Sequence, residues 1–148
     1  MIWEINKTKI EAGKFRTING NSDESIAIGR ITKAGFPCST PVTTNGRYDA
    51  VVDIGNNKLI RIQIKGTTKG SATFTGGGRS GQQISREVKQ RTYKYTSKDC
   101  DLILILDGTN GDCYLIPIKD ISGWGSSKKL SQLQKYKENW SILEKMAR

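Results

Sequence analysis

Tyr48-Asp49-Ala50-Val51-Val52-Asp53-Ile54 and Leu59-Ile60-Arg61-Ile62-Gln63-Ile64-Lys65 are two alternating runs joined by Gly55-Asn56-Asn57-Lys58. Alternation of apolar and polar residues marks half-buried strands, and a Gly-Asn-Asn turn between them reads as a β-hairpin. With a three-residue loop, Gly55 to Asn57, Ile54 faces Lys58 and Asp49 faces Gln63. Opposed residues on antiparallel strands have Cβ atoms ~5 Å apart. Lys65 lies two residues beyond Gln63 and shares its face. Parity supports this register. One face collects Ala50, Val52, Ile54, Ile60, Ile62 and Ile64. The other carries Asp49, Val51, Asp53, Leu59, Arg61, Gln63 and Lys65 and is mostly polar. An even-numbered loop would set Asp49 across from an isoleucine and mix the two faces.

Working outward, Ser22–Ala34 is expected to be a helix. Ser22 suits an N-cap, and Asp23 and Glu24 suit the positive end of the dipole. Ile28, Ile31 and Ala34 recur at helical spacing, Gly35 is placed to end the helix, and Pro37 blocks its continuation. Glu24 stands four residues before Ile28 and seven before Ile31, so it shares their inward stripe. A carboxylate on that side needs a partner, such as a metal ion or Lys65, because burying an unpaired charge is costly. Residues 1–20, with Lys7, Lys9, Lys14 and Arg16, are expected to form a basic arm without assigned structure.

Downstream, a strand is expected around Ala72–Thr75, followed by a loop with Gly76, Gly77, Gly78, Arg79 and Gly81. Cys100–Leu106 is a continuous apolar run suited to a central strand buried on both faces. Tyr114–Ile118 reads as a further strand, which Pro117 directs to an edge. Leu130, Leu133, Trp140, Leu143 and Ala147 lie on one stripe of a long C-terminal helix, Leu130–Ala147. Helical and strand segments together make the expected fold class α/β. One domain is expected for 148 residues, with a basic arm at 1–20, a core at 22–121 and a terminal helix at 128–147.

Composition narrows the chemistry. There is no histidine, so catalysis by Ser-His-Asp or Cys-His schemes is excluded. Three cysteines without CxxC spacing disfavour a structural zinc site and are expected to be idle thiols in a reducing compartment. No apolar run approaches the ~20 residues of a membrane span, and a cytoplasmic location is expected. The net charge of +10 points to a polyanionic partner, most often nucleic acid.

Two carboxylates (Glu24, Asp49), an amide (Gln63) and an amine (Lys65) in one place suit metal-assisted phosphodiester hydrolysis. Lys65 would orient the attacking water or stabilise charge developing on the phosphate. Ordinary readings stand beside this one. Asp-Lys pairs on exposed sheet faces are often mere ion pairs, and Glu24 could simply favour the helix dipole. Gly66 to Lys94 follows Lys65 directly and is rich in Gly, Thr, Gln, Lys and Arg. Lys69, Arg79, Arg86, Lys89, Arg91 and Lys94 are candidate phosphate contacts; Gln82 and Gln83 could read adenine, and Arg79 guanine. No GxxxxGK[ST] motif is present, which disfavours an ATPase.

Asp49, with Gln63-Ile64-Lys65 closing a hairpin, resembles the PD-(D/E)XK nuclease signature with glutamine at the acidic position. Preceded by helical Glu24 and the Gly35-Phe36 turn, it is similar to archaeal Holliday-junction resolvases. The segments Tyr48–Asp53, Gln63-Ile64-Lys65-Gly66-Thr67, Asp101-Leu102 and Tyr114–Ile118 resemble more closely the homing endonucleases of this class encoded in bacterial group I introns, cyanobacterial ones in particular. The likeness runs from about Asp23 to Ile121. It implies a restriction-endonuclease-like core, with a mixed central sheet flanked by helices, and Mg2+-dependent cleavage of double-stranded DNA at a long target, with Mn2+ as a substitute ion. It also implies a homo-oligomer, with a tetramer expected. By position, Glu24, Asp49, Gln63 and Lys65 take the catalytic roles, and Glu24, Asp49, Gln63 and the Ile64 backbone carbonyl hold the metal. Two departures stand out: Pro41 lies eight residues before Asp49, so a Pro-Asp dipeptide is absent, and Gln63 removes one negative charge. The competing readings are a Holliday-junction resolvase and a non-catalytic DNA-binding module.

Overall fold

The computed structural model describes residues 2–43, 46–77 and 92–148. Helix α1 (Ala12–Lys33) leads into a short strand, β1 (Cys38–Ser39), and then into the hairpin β2 (Ala50–Gly55) and β3 (Lys58–Thr67). Three small strands follow, β4 (Ser71–Thr73), β5 (Thr75–Gly77) and β6 (Thr92–Lys94). The apolar run becomes β7 (Leu102–Asp107), and β8 (Cys113–Pro117), β9 (Ser127–Lys129) and helix α2 (Ser141–Met146) complete the order. The main sheet runs β1-β2-β3-β7-β8. Its β3/β7 pair is parallel and its other pairs are antiparallel, so the sheet is mixed as expected. Two-stranded ribbons, β4/β9 and β5/β6, flank it. The strand expected at Ala72–Thr75 is divided between these two ribbons, at Phe74.

The hairpin reaches its expected register by an unexpected route. Its turn has two residues, Asn56 and Asn57, both in the left-handed region at φ 54° and 57°. Such turns match the twist of the flanking strands. Gly55 pairs with Lys58, but the register shifts between Asp53 and Gly55. The extra residue, Ile54, makes a bulge. Beyond it Asp53 faces Leu59 and Ala50 faces Ile62. The loop is even, yet the bulge restores the parity that an odd loop would have provided. Asp49 N–H donates to the Ile62 carbonyl at 2.8 Å, which carries the pairing up to Asp49.

The even-numbered face of the hairpin, with Leu102, Leu104, Leu106, Cys113 and Leu115, forms one core against Ala27 and Ile31 of α1 and Leu143 of α2. The opposite face is polar over β2 and β3 only. Over β7 and β8 it forms a second core, where Ile103, Ile105, Tyr114 and Ile116 pack on Phe74, Tyr95, Leu130, Leu133 and Tyr136. Leu102 to Leu106 are therefore buried on both faces, as their unbroken run implied. Cys100 and Cys113 are buried, and burial pushes both thiols up to about 12, leaving them protonated. Among the described residues, no helix is long and apolar enough to cross a membrane.

Both helical expectations are corrected as well. The first helix begins at Ala12, so the second half of the expected basic arm is helical. Ser22 is not its cap; the hydroxyl donates to the Asn19 carbonyl inside the helix at 2.9 Å. A good capping residue starts a helix only where the preceding backbone leaves the helical region, and nothing in residues 12–21 forces it to. The buried stripe is also shifted, centring on Ala27 and Ile31 while Ala34 is exposed.

The long C-terminal helix does not form. Leu130, Leu133 and Tyr136 are buried from two short 3-10 turns, Leu130–Gln132 and Gln134–Tyr136, and only Ser141–Met146 is α-helical. A spacing of three fits the 3-10 repeat as well as an α-helical stripe. The chain breaks at Lys137, which bridges Tyr114, and at Glu138, which sits at φ 51°. The break delivers the Glu138 carboxylate to three donors: the Arg30 guanidinium, Cys113 N–H at 2.8 Å and Trp140 Nε1 at 2.9 Å. Those bonds tie α1, β8 and α2 together, which a continuous helix could not do.

Candidate active site

β3 extends past the start of β2, so beyond Ile62 one edge of β3 lacks a strand partner. Asp49, the residue just before β2, places its carboxylate in that gap. Oδ2 accepts from Ile64 N–H at 2.9 Å and from Gln63 Nε2 at 2.8 Å. The side chain thus continues the β-ladder in place of a backbone carbonyl. This holds a carboxylate at the sheet edge, where groups from both faces can reach it. Gln63 Nε2 also donates to the Ile64 carbonyl at 3.2 Å, so the amide spans the two oxygens.

The edge position resolves an apparent conflict. Helix α1 covers the even face, whereas Gln63 and Lys65 lie on the odd one. Glu24, half-buried on α1, lies near enough to Asp49 for the two charges to interact. Burial, and then the nearby charge of Asp49, raise the pKa of Glu24. Burial also raises that of Asp49, against the Ile64 N–H and the Lys65 charge, which lower it. Lys65 responds in the opposite sense: burial lowers its pKa, and Asp49 opposes this. Asp49, Gln63 and the Ile64 backbone are joined by hydrogen bonds, and Lys65 and Glu24 act on or feel the Asp49 charge.

Among the described residues, no three Asp, Glu, Cys or His side chains gather as a metal-binding group. The candidate oxygen donors belong to the Glu24 and Asp49 carboxylates, the Ile64 carbonyl and the Gln63 amide, whose nitrogen is the atom turned toward Asp49 and Ile64. All are hard donors, and magnesium takes oxygen ligands while keeping several waters. The donor set fits such a cation.

Of the expected DNA contacts, Lys69 is exposed just after β3. Lys94 closes β6, with its ammonium bonded to the carbonyls of Trp124 and Ser122. Arg79, Gln82, Gln83, Arg86, Lys89 and Arg91 lie outside the described residues. The sequence reading missed three neighbours. Asp23 is half-buried and packs so closely on β3 that a Cβ on Gly66 would lie 1.8 Å from its Oδ2. Arg47 lies 3.7 Å from the Tyr93 ring centre and pairs with Asp99 at 3.2 Å. Tyr95 faces Lys65, with the ammonium 5.5 Å from its ring centre. Asp23, next to Glu24, and Arg47, two residues from Asp49, carried a local signal; Tyr95 carried none.

Comparison with known proteins places this geometry. The solved structure of a bacterial homing endonuclease, I-Ssp6803I, is similar in fold, with a TM-score of 0.68 over 88% of this chain and 93% of that one. The two are 20% identical in sequence. No curated protein matches the chain significantly. The model of the PD-(D/E)XK endonuclease family matches residues 16–145, a span that contains the main sheet and all four candidate site residues. By that match the chain belongs to the PD-(D/E)XK endonuclease family.

Proposed function

We propose that this endonuclease cuts double-stranded DNA at one long, defined sequence with Mg2+, as a homing enzyme that promotes mobility of a group I intron. The observation that carries the reading is the Asp49 carboxylate, pinned on Ile64 N–H beside Glu24 and Lys65. Asp49, Glu24, the Gln63 amide oxygen and the Ile64 carbonyl would hold the cation. When bound, the ion would polarise the phosphoryl oxygen and make a water more acidic. The chain's own residues do the rest. The β-ladder fixes Asp49, so the reacting phosphate is located relative to the sheet rather than to a loop. Lys65 brings a partly dehydrated positive charge to the same edge, suited to charge developing on the phosphate.

Charge and assembly support the partner. The net charge of +10 favours DNA, and Lys69, Lys128 and Lys129 add basic groups on or beside the β4/β9 ribbon. A long target is read most simply by symmetric copies of a small chain, with a tetramer as the form proposed. Phe15 and Ile18, exposed on the first half of α1, suit such a contact. The cytoplasm is the compartment proposed.

The test is selection of cleaved duplexes from a randomised pool with Mg2+, followed by Lys65→Ala on the selected target. One defined sequence should emerge. Lys65→Ala should slow cleavage by ~100-fold or more while DNA binding largely survives. Cleavage of four-way junctions alone would replace the homing reading with junction resolution. Failure of the intact protein to cut any duplex would leave a binding module.

A further inference from the structure

Lys65 is a long side chain that must present a charge at one point of a half-buried edge. A lysine ammonium is a compact charge on a flexible four-carbon stem, so something has to hold it. Asp49 attracts it, but an ion pair with Asp49 alone would draw the ammonium onto a carboxylate needed elsewhere. A second, uncharged anchor is present. The Lys65 ammonium stands 5.5 Å from the centre of the Tyr95 ring, within the ~6 Å range of cation–π attraction.

The ring is itself fixed. Tyr95 is 5% exposed and packs in the second core with Phe74, Ile103 and Ile105. Its N–H donates to the Phe74 carbonyl at 3.0 Å. Its edge meets the Tyr93 ring at 5.4 Å and an interplanar angle of 81°. Gly76 makes room for both rings. A Cβ there would lie 2.5 Å from the Tyr95 hydroxyl and 2.6 Å from that of Tyr93.

We propose that Tyr95 is a positioning residue for Lys65: its ring face holds the ammonium at the β3 edge, and Gly76 seats the ring. The kinetic consequence rests on the reading of Lys65 as the amine that serves the phosphate; the placement itself does not. A ring face satisfies charge without accepting hydrogen bonds through strong lone pairs. It therefore leaves the ammonium's donors available to an oxyanion.

The experiment compares Tyr95→Phe, which keeps a ring, with Tyr95→Leu, and reads two quantities. In the metal-free protein, NMR should show the Lys65 side-chain methylene protons shifted upfield by the ring current. That shift should persist in Tyr95→Phe and vanish in Tyr95→Leu. In single-turnover cleavage with Mg2+ and saturating target DNA, Tyr95→Phe should stay within about 3-fold of the parent. Tyr95→Leu should be slowed about 3- to 30-fold with DNA affinity unchanged. Should Tyr95→Leu fail to fold, a tetrafluorinated phenylalanine at position 95 keeps the shape while weakening the ring's negative face, and should slow cleavage likewise. The proposal is overturned if the parent shows no upfield shift, if removing or fluorinating the ring leaves the rate unchanged, or if Tyr95→Phe is as slow as Tyr95→Leu. An unaffected Lys65→Ala would instead overturn the catalytic reading, and the NMR result would still decide the placement.

Discussion

Asp49 and Asp101 flank β3 and perform the same backbone task. Each is the residue immediately before a strand, β2 or β7, and each carboxylate accepts a β3 N–H. Asp101 Oδ2 takes Arg61 N–H at 2.7 Å; Asp49 Oδ2 takes Ile64 N–H at 2.9 Å. Their surroundings differ. The Arg61 side chain folds back on Asp101, with Nη2 at 3.2 Å from Oδ1 and Nε at 3.3 Å from Oδ2. Burial pushes the Asp101 carboxyl up, but the Arg61 bonds outweigh it and hold its pKa below the usual range. At Asp49 burial prevails, because the Ile64 N–H bond and the charge of Lys65, which makes no direct ion pair with it, do not offset the lost hydration. One junction is closed by a guanidinium and is structural. The other is left electrostatically incomplete, which is where a cation would be accommodated.

Substitutions can break or sharpen this contrast. Asp49→Asn should reduce Mg2+-dependent cleavage by ~100-fold or more. It should leave the metal-free protein at least as stable in urea, because a neutral amide replaces a carboxylate that burial disfavours. A large stability loss with cleavage retained would make Asp49 the twin of Asp101. Ile62 lies between the two junctions, facing Ala50 and Leu102. Ile62→Ala should cost about 2–5 kcal/mol of folding stability, read by urea unfolding, since the side chain is fully buried.

Asp101→Asn should do the reverse of Asp49→Asn. A half-exposed ion pair and its hydrogen bonds contribute on the order of 1 kcal/mol, and cleavage should stay within about 2-fold. Its pH signature has a definite sign. The folded carboxyl titrates below its unfolded value of about 3.9. The contribution is therefore complete above that pH and is lost as pH falls through the folded value. Asp101→Asn should flatten that part of the acid unfolding curve, and an unchanged acid limb would remove the distinction between the junctions. The smallest effect is expected at Leu59, on the polar face and 64% exposed, where Leu59→Ala should shift stability by no more than about 0.5 kcal/mol.

The legible parts of this protein are those that depend on near neighbours along the chain. Alternation in β2 and β3 set which residues share a face, and that put Asp49, Gln63 and Lys65 together. The survival of this inference when the loop length was wrong is instructive. A one-residue bulge at Ile54 corrected the two-residue turn, because burying one apolar face penalises any other register. The unbroken apolar run of β7 was likewise sufficient to place it centrally. The helix ends were not legible. Neither the start of α1 at Ala12 nor the break at Glu138 carries a proline or a forced turn.

By itself, then, the sequence determined the hairpin's two faces, the buried strand and the clustering of Asp49, Gln63 and Lys65, because backbone geometry alone converts parity into facing direction. Tertiary structure decided that Glu24 lies near Asp49, that Arg61 closes one aspartate and not the other, that Tyr95 lies against Lys65, and that Glu138 interrupts the expected helix. Those outcomes join residues distant in sequence. They depend on which buried polar group finds a partner, and no periodicity along the chain records that.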